Sequence, residues 1–293
     1  MKYGSNRLKE IKKVLQSQIA FIYGNDEASA IMNILIEHFF GLSKVDQALN
    51  PDYRLSESEM LKLHFAVKEV LQHKPVQYIT GKAEFAGLNL VVDDNVLIPR
   101  PETEELVATI IKRKKETYSG KILDIGTGSG CIALALKNAF PGAKVTGVDI
   151  SEKALETARK NARKNKLAVE FFKVDILDEK QWSKQGKFDL IVSNPPYVTE
   201  HDKKRMKPNV IDYEPHGALF VTDKNPLLFY EAIITFAKNR LTENGTLYFE
   251  INEDFHNEIL NLLSISEFVN VEILKDFNGK CRFAVAKMGS NTL

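Results

Sequence analysis

Little in this chain points to metal or disulfide chemistry. Of its 293 residues only Cys131 and Cys281 are cysteines, and they show no CxxC or ligand-like spacing. Neither a disulfide framework nor a zinc site is expected, and such usage fits a reducing cytosol. The histidines (His38, His64, His73, His201, His216 and His256) form no HExxH pair and share no face, so no metal is proposed. Charge of one sign is also missing: a formal net charge of +1 exerts no global pull towards nucleic acid. No run approaches the roughly 20 apolar residues of a membrane helix. The basic stretch Met1 to Leu15 lacks the apolar core of a signal peptide, so a cytoplasmic protein free of the membrane is expected. What is present is ordinary in bulk, with 44% hydrophobic and 27% charged residues. That composition is globular, and the length has room for one large domain and one small.

From Arg7 to about Leu71 the apolar residues recur at helical spacing. Leu8, Ile11, Leu15 and Ile19 come first, then Ala30, Ile31, Ile34, Leu35 and His38, then Leu61, Phe65, Val67, Val70 and Leu71. Ser43 with Asp46, and Ser56 with Glu59, read as capping boxes opening the third and fourth helices. No chemistry is visible in this part, which serves either to recognise a partner or only to stabilise. His73 to Gly81 reads as the end of the helices. Ala83 to Val92 alternates around a turn at Gly87, Leu88 and Asn89, giving a hairpin bridge between domains. The predicted division is 1–82 helical, 83–98 hairpin linker and 99–293 the larger domain. Two prolines then bracket Arg100, and Leu106, Val107 and Ile110 begin a helix that Glu102 or Thr103 is placed to cap.

From Lys121 strands alternate with helices, which marks an α/β fold with a parallel, doubly wound sheet. The strands fall at 122–125, 145–148, 169–174, 188–192 and 246–250, with helices at 131–138, 152–164, 226–241 and 253–263. Val269 to Leu274 and Arg282 to Ala286 close the sheet as an antiparallel pair around Asn278 and Gly279.

Two stretches carry chemistry. Asp124-Ile125-Gly126-Thr127-Gly128-Ser129-Gly130 follows the first strand and opens a helix, where glycines admit a ligand to the backbone and the helix end supplies N–H donors. Asp149 ends the second strand, placed to accept hydrogen bonds from two ribose hydroxyls. The spacing is GxGxG rather than GxGxxG, so S-adenosylmethionine fits better than NAD. Its ribose would lie on Asp149, its adenine near Asp175 and Ile176, and its ammonium-bearing tail near Asp124 and the glycine loop. Asp175 reads equally as a strand-end turn. A nucleophile elbow is excluded, because GxSxG centred on Ser129 needs glycine where Thr127 and Cys131 stand.

The second stretch, Phe188 to Tyr197, is an apolar strand stopped by Pro195 and Pro196. Proline fixes φ and pushes its predecessor to extended conformations, so Asn194 to Tyr197 forms a stiff corner. Its carbonyls, the Asn194 amide and the flat Tyr197 ring suit a planar group bearing an NH2. Such a nitrogen is a poor nucleophile because its lone pair is delocalised. Hydrogen bonds from it to the Asn194 side chain and the Pro195 carbonyl would localise that pair. In doubly wound sheets the first and fourth strands are neighbours, about 5 Å apart, so both stretches open into one crevice.

With these residues the chain resembles the HemK/PrmC-type release factor glutamine methyltransferases over nearly its whole length. The matching stretches are Pro75 to Ile79, Ile98 to Glu104, Asp124 to Gly130, Asn194 to Tyr197, Glu214-Pro215 with Ala218-Leu219, and Asp276 with Gly279 and Arg282. The resemblance implies a class I methyltransferase fold, Rossmann-like, with a seven-stranded mostly parallel sheet and a small N-terminal helical domain that helps hold the substrate. It implies transfer of a methyl group from S-adenosyl-L-methionine, with S-adenosyl-L-homocysteine as product. The acceptor would be N5 of the glutamine in the Gly-Gly-Gln motif of class 1 peptide chain release factors. The resemblance also implies donor contacts at Asp124, Ile125, Gly126, Thr127, Gly128, Asp149 and Asn194, and substrate contacts from Asn194, Pro195, Pro196 and Tyr197. Ile150, Asp175, Ile176, Arg100 and Thr103 complete the expected cofactor set, although Ile176 stands where family members can carry an aromatic. A monomer is expected, with the release factor as protein partner and no direct nucleic-acid contact.

Two other readings stay open at this point. An amino-methyltransferase acting on N6 of adenine in DNA or RNA would use the same corner but needs a basic surface. Only Lys112 to Lys115 and His201 to Arg205 are dense in basic residues, and solvated helix or loop charge explains both. A non-catalytic module that kept the pocket is the other, against which the intact acceptor corner speaks.

Overall fold

The structure is a computed structural model that describes residues 4–184 and 186–289. The chain divides into two compact units, Met1–Gly81 with Lys207–Tyr213, and Lys82–Met206 with Glu214–Leu293. The helical unit therefore ends at Gly81 and recruits a short returning segment that sequence periodicity did not reveal. Its helices are α1 (Leu8–Tyr23), α2 (Asn25–Phe40), α3 (Lys44–Leu49), α4 (Glu57–Leu71) and α5 (Val76–Thr80).

In α1 the residues Leu8, Ile11, Leu15 and Ile19 are all buried, as their spacing predicts. Both capping boxes form: the Ser43 and Ser56 hydroxyls accept from the Asp46 and Glu59 amides, whose carboxylates accept in return from the serine N–H groups. Two expectations on burial are corrected. α2 buries Ala28, Ile31, Met32, Leu35 and Ile36 rather than Ala30 and Ile34, and α4 buries Leu63, Ala66, Val67 and Val70. Leu61 and Phe65 form a competing i, i+4 pair that faces outward, Phe65 with 57% of its surface exposed. A third correction concerns 73–81, where Pro75 opens the short α5 and Gly81, at φ 66°, ends it. Within this unit the Tyr213 hydroxyl donates to the Gln72 carbonyl at 2.7 Å, tying the returning segment down.

The larger unit opens with the hairpin β1 (Lys82–Phe85) and β2 (Leu88–Val91). Phe85 pairs with Leu88, so the turn is Ala86-Gly87, both at positive φ, one residue earlier than expected. The hairpin is no free linker: Phe85, Leu88 and Leu90 enter the core of this unit, and Asn161 holds the Val91 backbone through both its N–H and its carbonyl. Next come α6 (Pro101–Arg113), β3 (Lys121–Ile125), α7 (Cys131–Ala139), β4 (Lys144–Asp149), α8 (Glu152–Asn165), β5 (Glu170–Lys173) and β6 (Phe188–Ser193). Short helices α9 (Glu200–Lys203) and α10 (Pro208–Ile211), the second belonging to the helical unit, precede α11 (Leu228–Arg240), β7 (Leu241–Glu250), α12 (His256–Ile265), β8 (Phe268–Lys275) and β9 (Cys281–Met288). α11 starts two residues later than predicted, and α9 and α10 have too few periodic residues to be read from sequence.

The sheet order is β5-β4-β3-β6-β7-β9-β8, with β3 to β7 parallel and β9 antiparallel to both its neighbours. Side chains alternate across it, so Ile122 joins one core beneath α6, α7 and α8, while Leu123 and Ile125 join the other beneath α11 and α12. β3 lies against β6 with Ile125 beside Ser193. The chain leaves β3 in one direction across the sheet and returns in the other, and at such a reversal the strand ends leave a crevice.

Candidate active site

The glycine loop bridges β3 and α7. Gly126, Gly128 and Gly130 stand at φ 72°, 53° and 81°, a left-handed region that side chains disfavour. The Gly126 and Thr127 N–H groups donate to the Val148 carbonyl at 2.9 and 3.0 Å, folding the loop onto β4. Asp124 is fully buried at the end of β3, and its Oδ2 accepts from Thr127 Oγ1 at 2.6 Å and from the Ala133 N–H at 3.2 Å. Its Oδ1 is buried without a hydrogen-bond partner among the described residues. Burial pushes this carboxyl up to about 7, helped by the nearby Asp149 charge and opposed by the two hydrogen bonds. Asp149 ends β4, where its oxygens accept from the Gly128 and Ser151 N–H groups at 2.9 and 2.8 Å. Burial raises its pKa as well. Each of its oxygens keeps a further lone pair for a ligand hydroxyl.

The Asn-Pro-Pro-Tyr corner follows β6 directly. Ser193 Oγ donates to the Ile125 carbonyl at 2.7 Å, which locks the ends of β3 and β6 together. A Cβ placed on Gly126 would come within 4.0 Å of the Asn194 carbonyl oxygen, so the loop and the corner face each other. Asn194 Nδ2 donates to Thr103 Oγ1 at 3.1 Å, Thr103 Oγ1 donates to Glu250 Oε2 at 2.6 Å, and the Tyr197 hydroxyl donates to Glu250 Oε1 at 3.1 Å. Burial raises the Tyr197 phenol, an effect the adjacent Glu250 charge reinforces. Asn194, Pro195, Tyr197, Arg100 and Glu250 line a small cavity together with Leu97, Val198, Ala218 and Leu219.

Several expected residues fall elsewhere. Neither Glu102 nor Thr103 caps α6: Arg100 is the N-cap residue and Pro101 fills the first helical position, which needs no N–H. Arg100 and Thr103, expected with the cofactor, lie beside the corner, Thr103 bonded to Asn194 and Arg100 lining the same cavity as Asn194. Arg100 is ion-paired there with buried Glu214, whose other oxygen accepts from the Ile98 N–H at 3.3 Å. Asp175 makes a strand-end turn, its Oδ1 accepting from the Leu177 N–H at 2.9 Å. Ile176 is buried in the core, and its carbonyl accepts from the Trp182 indole at 3.1 Å. Ile150, in contrast, exposes 60% of its surface next to Asp149. The sequence reading missed Glu250 and gave Glu214 no role. A carboxylate closing the apolar run Leu247-Tyr248-Phe249 at a strand's C-terminal end is the signal that marks the first.

The sequence profile of the methyltransferase small domain matches residues 102–213. That of the PrmC N-terminal domain matches residues 6–81. The release factor glutamine methyltransferase of Flavobacterium psychrophilum is 43% identical over 278 residues, covering 94% of this chain and 97% of the relative. The chain belongs to the release factor glutamine methyltransferase family. The family member of Bacteroides thetaiotaomicron is 39% identical over 95% of this chain and 99% of its own length. Among solved structures, a T. thermophilus 16S rRNA N2 methyltransferase in complex with AdoMet and guanosine superposes with a TM-score of 0.52 at 20% identity, over 71% of this chain and 49% of that one. At that identity the likeness shows the fold, which is the class I methyltransferase fold this family shares.

Proposed function

We propose that this protein transfers a methyl group from S-adenosylmethionine to N5 of the glutamine in the Gly-Gly-Gln motif of class 1 peptide chain release factors. One observation carries the reading: the glycine loop and the Asn194 corner are neighbours at the ends of β3 and β6, with Gly126 against the Asn194 main-chain carbonyl. The residues fit the donor. The unpaired buried oxygen of Asp124 suits an ammonium group, Asp149 suits a pair of ribose hydroxyls, and exposed Ile150 offers an apolar face to a purine ring. When bound, S-adenosylmethionine supplies an electrophilic methyl carbon on a sulfonium and leaves as S-adenosylhomocysteine.

The chain's own residues act on the acceptor. With its Nδ2 held by Thr103, Asn194 turns its carbonyl oxygen to the cavity, where it and the Pro195 carbonyl accept the two hydrogens of a planar amide. That grip pulls the nitrogen towards tetrahedral geometry and aims its lone pair at the donor. Tyr197 stacks on the amide plane. The nitrogen sheds a proton to solvent after the methyl arrives, so no general base is required.

In this reading the protein works in the cytoplasm as a monomer on a protein substrate. Among the described residues no helix is long and apolar enough to cross a membrane. The basic clusters are partly self-satisfied, since Arg113 pairs with Glu272, Lys114 lies over the Tyr118 ring, and Lys203 pairs with Glu200 and lies over Phe220. The test is the mass of the release factor's Gly-Gly-Gln peptide after incubation with the full-length protein and S-adenosylmethionine. One added methyl on the glutamine is expected, absent with Asn194→Ala; methylation of an adenine oligonucleotide instead would overturn the assignment.

A further inference from the structure

Behind the acceptor corner lies a buried carboxylate that the chemistry above does not use. Glu250 ends β7 with 2% of its surface exposed, and Tyr230 Oη donates to its main-chain carbonyl at 3.2 Å, which fixes the backbone there. Its side chain reaches two partners from different parts of the fold, Thr103 on α6 and Tyr197 on the corner. We propose that Glu250, acting through the Thr103 hydroxyl, is the positioning residue that fixes which end of the Asn194 amide faces the substrate.

The number of protons available fixes the direction of each bond. An ionised carboxylate only accepts, so both hydroxyls that touch Glu250 must donate to it. A threonine has one hydroxyl proton, and Thr103 spends it on Glu250 at 2.6 Å. What Thr103 then presents to Asn194 is a lone pair. Only the NH2 end of Asn194 satisfies a lone pair at 3.1 Å, so the carbonyl end is left for the cavity. Remove the carboxylate and the Thr103 proton is released. The hydroxyl can then donate to the Asn194 carbonyl, the amide turns over, and an NH2 meets the NH2 of the acceptor glutamine. Two donors face to face repel, and the lone pair on the acceptor nitrogen is no longer localised. This inference rests on the methyl-transfer reading and names the residue that makes it selective for a group bearing hydrogens.

Protonation of Glu250 turns one of its two oxygens into a donor, so the carboxyl no longer compels both hydroxyls to donate to it and the hold on the Thr103 proton weakens. Burial raises its pKa, while Thr103, Tyr197 and the Arg282 guanidinium from β9 oppose that rise and Glu102 from α6 adds to it. Tyr230 on α11 and Cys131 on α7 also face it, and both are raised by burial and hold their protons at neutral pH. The network is therefore intact above the Glu250 titration and is lost as pH falls through it.

The experiment uses full-length protein, a class 1 release factor and single-turnover methyl transfer, with S-adenosylmethionine affinity and thermal unfolding measured alongside. Thr103→Val and Glu250→Leu are expected to lower kcat about 10²-fold, the usual cost of a misplaced reacting group, with cofactor affinity unchanged within about threefold. Thr103→Ser, which keeps the hydroxyl, is expected to retain kcat within about threefold. Glu250→Gln keeps one accepting oxygen, as the protonated carboxyl does, so its kcat should match the wild-type value at the acid end of the profile and show no acid limb of its own. Wild-type kcat in Thr103→Val, or an acid limb identical in wild type and Glu250→Gln, overturns the inference. Should Glu250→Leu fail to fold, the Thr103 pair decides by itself. Wild-type turnover in the same assay separates the two readings: an active wild type with an equally active Thr103→Val removes the positioning role alone, whereas a wild type that leaves the glutamine unmodified removes the functional assignment together with it.

Discussion

The two halves of the crevice are built in opposite ways. On the glycine-loop side the bonds are short in sequence: Thr127 and Ala133 reach Asp124 across 3 and 9 residues, and Gly128 reaches Asp149 across 21. On the acceptor side Tyr197 reaches Glu250 across 53 residues, Asn194 reaches Thr103 across 91, and Thr103 reaches Glu250 across 147. The donor half is thus a local backbone device that a few residues specify. The acceptor half is assembled by the whole sheet, because α6, β6 and β7 must all be in register before its hydrogen bonds exist. A local device should fail one function at a time, and an assembled one should feel distant changes.

The sharpest way to break that contrast is to cross one substitution from each half. Asp149→Ala removes a carboxylate that holds two loop N–H groups and, in the proposed reading, the ribose. A lost charged hydrogen bond is worth about 1.5–3 kcal/mol, so cofactor affinity should fall about 10²-fold. Asn194→Ala should lower turnover about 10³-fold with at most about a tenfold loss of affinity. Calorimetric titration with S-adenosylmethionine and single-turnover rates on the release factor read the two effects separately. Equal loss of affinity in both variants would show that the halves are not separable.

A smaller effect tests whether the donor half is as local as it looks. A Cβ on Gly147 in β4 would lie 2.7 Å from both the Phe171 ring and Thr127 Oγ1. Gly147→Ala should destabilise the protein by about 1–3 kcal/mol through overpacking, visible as a lower unfolding midpoint in denaturant. Because Thr127 is the residue displaced, cofactor affinity should fall in the same variant. Unaltered stability would mean that β4 and β5 yield more readily than a packed sheet does.

The two halves respond to pH in the same sense, since burial raises the carboxyl at the centre of each. Asp124 has its folded-state pKa raised from 3.8 to about 7. Between those values the folded protein holds a proton that the unfolded chain has released. The stabilisation is complete below the unfolded value and is lost as pH rises through the folded one. The unfolding temperature of the protein without cofactor should therefore fall from about pH 5 to about pH 8, with a shallower fall in Asp124→Asn. Cofactor affinity should rise over the same interval, since an ammonium group pairs with the ionised form. A parallel slope in wild type and variant would locate the effect elsewhere.

This contrast explains what could be read from residues alone. The places of the glycine loop, Asp149 and the Asn194 corner at strand ends were legible because each motif lies within a few positions of the strand that spacing marks, and the neighbouring of β3 and β6 follows from the doubly wound order. The capping boxes at Ser43 and Ser56 were legible for the same reason. The pairings of Thr103 with Glu250 and of Arg100 with Glu214 were not, because such partners are set by the tertiary fold rather than by spacing. The faces of α2 and α4 were read only in part: Ile31, Leu35, Val67 and Val70 are buried as their spacing suggests, but where two apolar stripes compete Leu61 and Phe65 were chosen over Leu63 and Ala66. Asp175 was ambiguous in principle, since an aspartate at a strand end serves a turn and a ligand equally well.

The smallest predicted effect lies in the helical unit, where locality can be measured without any ligand. Ser56 and Ser43 make the same capping box, but α4 buries Leu63, Ala66, Val67 and Val70 whereas α3 buries nothing. A cap contributes to stability only as far as the helix it starts is tied to a core. Ser56→Ala should therefore cost about 1 kcal/mol, near the usual value for a lost N-cap. Ser43→Ala should cost clearly less, because fraying of α3 exposes no apolar surface. Urea unfolding of the two variants checks the ranking, and equal costs would show that α3 is coupled to its unit through more than its buried residues.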